Sequence, residues 1–488
     1  MRTYFCVYLG ATFLALLTTP VVARIGRAMR ILDAPDARKV HSSPTPRIGG
    51  LAIALPAIAM SISVLVLDNV IGQAFRLVRT HAIVLLATGV FVFVVGLVDD
   101  VRGLSARTKL LGQALAAAVV CGFGIRIGSV TVGQWFSLDF GWWAWPITML
   151  WIIGITNAVN LIDGLDGLAA GISAVVCGVI AIFAIYTGQP VMAVLVLALL
   201  GSLSGFLIFN FHPAKTFMGD CGSMFLGFVI ATASVMCALK SATLAGLALP
   251  FLALGVPIFD AFFSILRRIV QRRSIFAPDR GHIHHRLLAG GLRQRRAVIL
   301  MYVVTLIAGG LGTFMMVARG RDALVVFGCV FVLLVLVFRA AGAIGLGGSI
   351  AALRRNLAVA REAGQEKRHL EEAQLRLCGA TTLDAWWQSM CATAEKMGFA
   401  SLSVSVVYPE GPTRRLFWRP GPPGPPASRG VIHLVGTLPD DPPGLSVRIE
   451  ADIPVDGSLE SAGRRAALFG RLIDEQSLNE LAPGQRAA

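Results

Sequence analysis

The chain has 488 residues, of which 55% are hydrophobic and only 15% charged, and its mean hydropathy is +0.72. Soluble proteins carry roughly a quarter charged residues, so this composition excludes an ordinary soluble enzyme. The formal charge of +15 does not by itself indicate nucleic acid. No nucleic-acid-binding motif accompanies it, and Arg and Lys gather in the cytoplasmic loops of membrane proteins.

Apolar stretches near twenty residues recur from Tyr4 to about Leu346, each long enough to cross a bilayer as a helix. Backbone polar groups must be satisfied internally in lipid, so helices are expected rather than open strands. The predicted class is an all-α polytopic membrane protein with about 11 transmembrane helices and a C-terminal cytoplasmic α+β domain. The spans fall at about 4–25, 49–69, 81–98, 110–125, 141–161, 168–187, 190–211, 221–240, 244–266, 298–318 and 322–346. The first could pass for a signal peptide. Its only preceding cation is Arg2, however, while Arg24, Arg27 and Arg30 follow it, which favours an uncleaved span with the N-terminus outside.

With that orientation, the inward segments are 26–48, 99–109, 162–167, 212–220, 267–297 and everything after 347. They hold most of the Arg and Lys, and also the unusual polar residues: Asp99-Asp100, Asp163, Asp166, Asp220 and the histidines at 282–285. One shared site on the cytoplasmic face is the economical reading. The eight cysteines show no CxxC or Cys/His zinc spacing and no disulfide framework.

In chain order, Gly96-Leu-Val-Asp99-Asp100 places two carboxylates at the end of an apolar span, where ionisable residues are expensive and functional by default. They could bind Mg²⁺ or take a proton from a phosphate; a solvated helix end is the plain alternative. Arg107-Thr-Lys109 follows with cations suited to phosphate. In Asn157-Ala-Val-Asn160-Leu-Ile-Asp163-Gly164-Leu-Asp166-Gly167, polar residues three apart share a helix face before Asp-Gly pairs open a loop. Amides and acids together suit hydroxyls, a uracil edge or a hard cation. Asn210-Phe-His212-Pro-Ala-Lys215-Thr-Phe217-Met-Gly219-Asp220 offers another carboxylate for Mg²⁺. Phe217 there is either a stacking ring or an interfacial aromatic. Finally, Pro278-Asp279-Arg280-Gly-His282-Ile-His284-His285-Arg286 could be a zinc site or an anion clamp. The arginines favour the anion, because a guanidinium binds phosphate in a bidentate fork. The inventory describes phosphoryl transfer at a membrane.

These motifs resemble the polyprenyl-phosphate N-acetylhexosamine-1-phosphate transferase family. The likeness covers residues 1 to about 346 and includes His41-Ser-Ser-Pro44-Thr-Pro46-Arg-Ile-Gly49-Gly50 and Gly103–Lys109 besides those above. It implies transfer of a sugar phosphate from a UDP-sugar to a polyprenyl phosphate, releasing UMP and needing Mg²⁺, for which Mn²⁺ can stand in. It implies Asp220 as the main Mg²⁺ ligand with Asn160 as the second contact. Asp99 resembles the group that deprotonates the lipid phosphate, with Asp100 as its neighbour in the site and Lys109 resembling a phosphate contact; whether Asp99 acts as base or nucleophile stays open. Phe217 and Asp166 correspond to the uracil-recognising pair, and Asn210 and Asp163 to the nucleoside pocket. His282, His284, His285 and Arg286 resemble the loop of bacterial undecaprenyl-phosphate GlcNAc-1-phosphate transferases, which initiate surface glycans such as lipopolysaccharide or teichoic acid. The muramoyl-pentapeptide branch carries three consecutive histidines instead.

The expected partners are a UDP-N-acetylhexosamine, undecaprenyl phosphate and membrane lipid, with no nucleic acid and with a homodimer left open. The expected location is the bacterial inner membrane. Competing readings are the muramoyl-pentapeptide transferase, or a transporter or non-catalytic scaffold. Transporters would show midplane charge and repeats, and neither is evident; Asp260 is the one candidate midplane acid, and helix packing near Pro257 explains it about as well. The predicted divisions are a transferase domain over 1–346, an amphipathic linker over 347–378 and a small α+β domain over 379–488. The last carries a helix capped by Thr382, strands near 402–406, 416–418, 431–435 and 445–449, and a final helix at about 459–481. It has no identifiable chemistry, and its partner or ligand is undefined.

Overall fold

A computed structural model describes residues 1–33, 44–67, 70–132, 136–241, 244–271, 274, 281–316, 321–342, 364, 368, 371–375, 377, 380, 382–407, 413–421, 430–438, 446–455 and 459–474. His41 to Ser43 of the first motif, Pro278 to Arg280, most of the amphipathic stretch 347–378, and Pro422 to Pro426 lie outside them. The chain divides into two compact units, Met1–Leu346 and Gly347–Ala488.

The first unit is a helical bundle. Each predicted apolar stretch is helical: α1 (Arg2–Ala28), α2 (Leu51–Val66) with the short α3 (Val70–Leu77), α4 (Arg79–Arg102), α5 (Ala106–Gly122), α6 (Ala144–Ile162), α7 (Leu168–Tyr186), α8 (Pro190–Asn210), α9 (Gly219–Ser241), α10 (Leu244–Ala253) with α11 (Gly255–Val270), α13 (Gln294–Thr313) and α14 (Arg321–Ala340). A seven-residue helix, α12 (Ile283–Ala289), precedes α13. Eight of these helices are long and apolar enough to cross a membrane, nine if the bent pair α2–α3 is one span. The others are shorter than expected for three reasons of local sequence. Leu67 turns extended and ends α2 at 16 residues, α5 stops at 17 residues, and the stretch 244–266 breaks after Ala253 into α10 and α11.

Burial ranks the spans. Helix α9 is 89% enclosed, whereas α1 (28%) and α14 (22%) present most of their surface outward. The central helix α9 is gripped on two sides by small residues. A Cβ on Gly96 of α4 would lie 2.6 Å from the Asp220 carbonyl oxygen, and one on Gly227 of α9 would lie 2.6 Å from the Thr156 Cα of α6. Close backbone approach of this kind drives helix association where lipid removes the hydrophobic incentive. Polar side chains add cross-helix bonds: Trp151 Nε1 donates to Ser234 Oγ at 2.9 Å, and Asn157 Nδ2 to Gln113 Oε1 at 2.6 Å.

Two small pairings complete the unit. In one, Leu32↔Pro46 and Asp33↔Thr45 form an antiparallel bridge, β1 (Leu32–Asp33) with β2 (Thr45–Pro46). In the other, Ser129–Val132 pairs with Phe136–Asp139 as a hairpin just before exposed Trp142 and Trp143.

In the second unit a helix, Leu383–Lys396, starts where the Thr382 hydroxyl accepts the Ala385 amide at 3.3 Å. Four antiparallel strands follow: Ser401–Val407, Arg414–Trp418, Val431–Leu438 and Ser446–Pro454. The first and fourth lie at the centre of the sheet, the second and third at its edges. A last helix, Leu459–Asp474, closes the described part. Alternation in Leu402, Val404 and Val406 buries them with Val447, Ile449, Trp386, Met390 and Phe469 as a separate core.

Candidate active site

The C-terminal ends of α4, α6 and α8 and the N-terminal ends of α9 and α13 meet around one cavity of about 500 Å³. Chain direction alone requires this: α4, α6 and α8 run toward that end of the bundle, and α9 and α13 leave from it. Asp99, Asp100, Asn160, Asp163, Asp166, Asn210, Phe217, Asp220 and His285 all line it.

Three acids are organised around the start of α9. Asp220 follows Gly219, whose φ of +74° is a left-handed conformation. A Cβ there would lie 1.9 Å from the Arg47 carbonyl oxygen, so the turn both needs the conformation and excludes a side chain. Asp100 accepts the backbone amides of Asp220 and Cys221 at 3.0 and 2.9 Å, satisfying two of the free N–H groups that open a helix. Asp99, one residue earlier, faces elsewhere. One oxygen accepts the Leu104 amide at 2.5 Å and the other accepts Lys109 Nζ at 2.9 Å. Lys109 reaches on to Asp220 at 2.8 Å, and Asn160 Nδ2 donates to the second Asp220 oxygen at 3.0 Å and to Ser223 at 2.8 Å. Adjacent Asp99 and Asp100, read together in the sequence, thus do different things. Asp100 braces the backbone of α9, whereas Asp99 shares an ammonium with Asp220.

The α6–α7 loop and the segment after α8 also contribute to the cavity wall. Asp166 accepts the Ala214 amide at 3.1 Å and stands 2.8 Å from His212 Nδ1. Asn210 Nδ2 donates to the Thr216 carbonyl at 2.9 Å. The Phe217 amide donates to Pro46 O at 2.7 Å, and the Phe217 carbonyl accepts from the Gly49 amide at 2.9 Å. The β1–β2 bridge therefore fixes the backbone that presents the Phe217 ring to the cavity. Asp163 also lines the cavity. Burial, and after it the carboxylates of Asp220, Asp100 and Asp166, push its carboxyl up to about 8.

The histidine segment enters by one residue. His285 lines the cavity, and its ring lies 4.3 Å from that of His284. His284 is 2% exposed, packed against Gly164, and its Nδ1 has no hydrogen-bond partner among the described residues. Burial, then neighbouring His285, holds it down to about 3, so it is neutral at ordinary pH. His282 donates from Nδ1 to Asp260 at 2.9 Å. Arg286, expected to face an anion, donates Nε to the Gly281 carbonyl at 3.0 Å and Nη1 to the Gly342 carbonyl. His282, His284 and Arg286 are not among the lining residues; His282 and Arg286 bond within the protein instead.

Four lining residues carry no expected role: Asp33, Arg47, Leu165 and Gln294. Arg47 was legible as a cation inside the Pro44–Gly50 motif. Only the structure shows its Nε 3.3 Å from Asp100 and its Nη2 3.3 Å from the Asp99 carbonyl. Asn157 shares a helix face with Asn160 by spacing, but it turns to Gln113 instead.

The donor set fits a divalent cation. Asp99, Asp100, Asp163, Asp166 and Asp220 line one cavity. Mg²⁺ uses one or two carboxylates and leaves its other positions to water and substrate phosphate. Among the described residues, no group of three or more His, Cys, Asp or Glu side chains is placed to hold a metal ion.

The family model for glycosyl transferase family 4 matches residues 82–238. Among curated relatives, a Bacillus subtilis protein named "Probable undecaprenyl-phosphate N-acetylglucosaminyl 1-phosphate transferase" is 39% identical over 297 residues, 59% of this chain and 78% of that protein. A Mycobacterium leprae decaprenyl-phosphate N-acetylglucosaminephosphotransferase is 32% identical over 62% of this chain and 81% of its own length. A Geobacillus kaustophilus phospho-N-acetylmuramoyl-pentapeptide-transferase is 32% identical over 63% and 94%.

Proposed function

We propose an activity from one premise: the chain belongs to glycosyl transferase family 4, among the polyprenyl-phosphate N-acetylhexosamine-1-phosphate transferases. It is a multi-pass membrane phosphotransferase that acts on a lipid phosphate. The finer reading is transfer of GlcNAc-1-phosphate, or a close HexNAc-1-phosphate, from a UDP-sugar to undecaprenyl phosphate at the cytoplasmic face of a bacterial inner membrane. The product would begin a cell-surface glycan.

The observation that carries this reading is a single cavity lined by Asp99 and Asp220 together with Asp166, Asn210 and Phe217. A nucleotide diphosphate calls on both sets of groups. The uridine belongs with Phe217, whose ring can stack on a base, and with Asn210 and Asp166. The diphosphate then extends past Asp163 toward Lys109, Arg47 and His285. The lipid phosphate arrives beside Asp99. Its oxygen attacks the phosphorus that carries the sugar, a new P–O bond forms, and the bond from that phosphorus to the bridging oxygen breaks. UMP leaves with the electron pair. Asp99, hydrogen-bonded to Lys109 Nζ and the Leu104 amide, accepts the proton from a protonated lipid phosphate. Lys109 neutralises charge developing between Asp99 and Asp220, and positioning with charge neutralisation is most of what phosphoryl transfer requires. A Mg²⁺ ion held by Asp220 and Asn160 would supply further neutralisation of the diphosphate.

The test is radiolabel transfer from a panel of UDP-HexNAc donors, with UDP-muramoyl-pentapeptide included, into extractable polyprenyl lipid. Labelled lipid from UDP-GlcNAc or a close epimer is the expected result. Label from the muramoyl donor alone would replace the reading with its sibling, and no lipid label from any donor would end it.

A further inference from the structure

Asp260 lies on α11 in none of the recognised motifs and does not line the cavity, yet both its oxygens are used on the histidine segment. Oδ2 accepts His282 Nδ1 at 2.9 Å, and Oδ1 accepts the Ile283 amide at 2.7 Å. Asp260 is 3% exposed and His282 5% exposed, and a buried carboxylate is tolerated only when hydrogen-bonded in this way. Ile283 is the first residue of α12, so a side chain from another helix holds the start of α12.

The consequence propagates through rings. His282, fixed by Asp260, lies parallel to His284 with ring centres 5.7 Å apart and planes 10° apart. His284 rests against Gly164 of the α6–α7 loop, where a Cβ would come within 2.7 Å of Nε2, and His285 follows at 4.3 Å and enters the cavity. The carboxylate also selects a tautomer. It accepts at Nδ1 of His282, which leaves the proton there and Nε2 as the acceptor.

We propose that Asp260 is a positioning residue for the nucleotide-sugar: it clamps His282 and the start of α12 so that His285 stands at the diphosphate end of the cavity. A carboxylate meant only to satisfy a buried histidine would need one oxygen, whereas here the second secures the backbone that sets the direction of α12. This rests on the proposed donor binding in that cavity.

The experiment measures kcat and KM for donor and lipid separately on the purified full chain in detergent, with D260A, D260N, H282A and the double variant D260A/H282A. The Asn side chain retains an oxygen for the Ile283 amide and an NH₂ that can donate to Nδ1 of the opposite His282 tautomer. The expected results are a donor KM raised about ten-fold or more in D260A, a lipid KM within about two-fold, and at least partial recovery in D260N. H282A keeps the Ile283 amide on Asp260, so its donor KM should rise no more than that of D260A, with the double variant no worse than D260A, because both act on one clamp. Should D260A not fold, D260N and H282A decide: a raised donor KM in H282A with recovery in D260N supports the clamp. An unchanged donor KM in the folded variants, or equal loss for both substrates, overturns it. An inactive unsubstituted protein would instead refute the proposed activity, so the two failures are told apart.

Discussion

Lys109 and Asp220 stand 2.8 Å apart although 111 positions separate them in the chain. The same ammonium lies 2.9 Å from Asp99, so one cation joins the end of α4 to the start of α9.

Replacing it isolates that role. Lys109→Met leaves two carboxylates facing each other in a partly enclosed site, where like charges repel strongly. Turnover at saturating donor is expected to fall on the order of a hundred-fold, with Lys109→Arg recovering part of it. Initial rates in mixed micelles check this, and a Met variant with normal kcat would remove Lys109 from the reacting site.

Asp220→Asn keeps the size of the side chain and the Asn160 contact on one oxygen but removes a formal charge. The expected outcome is loss of turnover, with a normal gel-filtration profile in detergent. Activity measured across a Mg²⁺ titration tests the proposed metal role. Full activity at ordinary Mg²⁺ would contradict it.

Gly219→Ala addresses the turn that sets Asp220. The left-handed conformation costs a non-glycine residue about 1–2 kcal/mol, and the added Cβ would collide with the Arg47 carbonyl oxygen. Lower thermal stability together with lost activity is expected. A variant with unchanged stability and rate would show that the start of α9 tolerates a different path.

Asp163 gives a pH dependence with a definite sign. Its folded value, pushed up to about 8, lies above that of an unfolded carboxyl near 3.9. The folded chain therefore holds a proton that the unfolded chain releases. That contribution to stability is complete below the unfolded value and disappears as pH rises through about 8. Without divalent cation, melting temperature should fall over that interval, and Asp163→Asn should flatten the fall by on the order of a few degrees. Thermal scans at a series of pH values in EDTA decide it, and parallel curves for the two proteins would exclude Asp163 as the titrating group.

Much of this protein was open to reading from the residues in order. Apolar length specified the helices because backbone groups in lipid have no other way to be satisfied. The parity of the spans placed Asp99, Asp163, Asp166, Asp220 and the histidines at one end, and the cavity gathers Asp99, Asp163, Asp166, Asp220 and His285 there. Composition likewise separated the tail from the bundle, and Thr382 marked a helix start by its capping chemistry.

What the sequence could not supply was the division of work among neighbours. Asp99 and Asp100 are chemically identical and adjacent. On a helix, successive side chains point about 100° apart, so one braces α9 and the other meets Lys109. Asn157 and Asn160 share a face by spacing, yet α5 lies close enough for Gln113 to take the first. The three histidines at 282, 284 and 285 look alike as a cluster of imidazoles. Their different surroundings, Asp260, Gly164 and the open cavity, were assembled by helices distant in sequence. Hydrophobic length is a local property and survives in a string of letters; the direction in which a short polar side chain finds its partner depends on packing between helices, and only the folded bundle decides it.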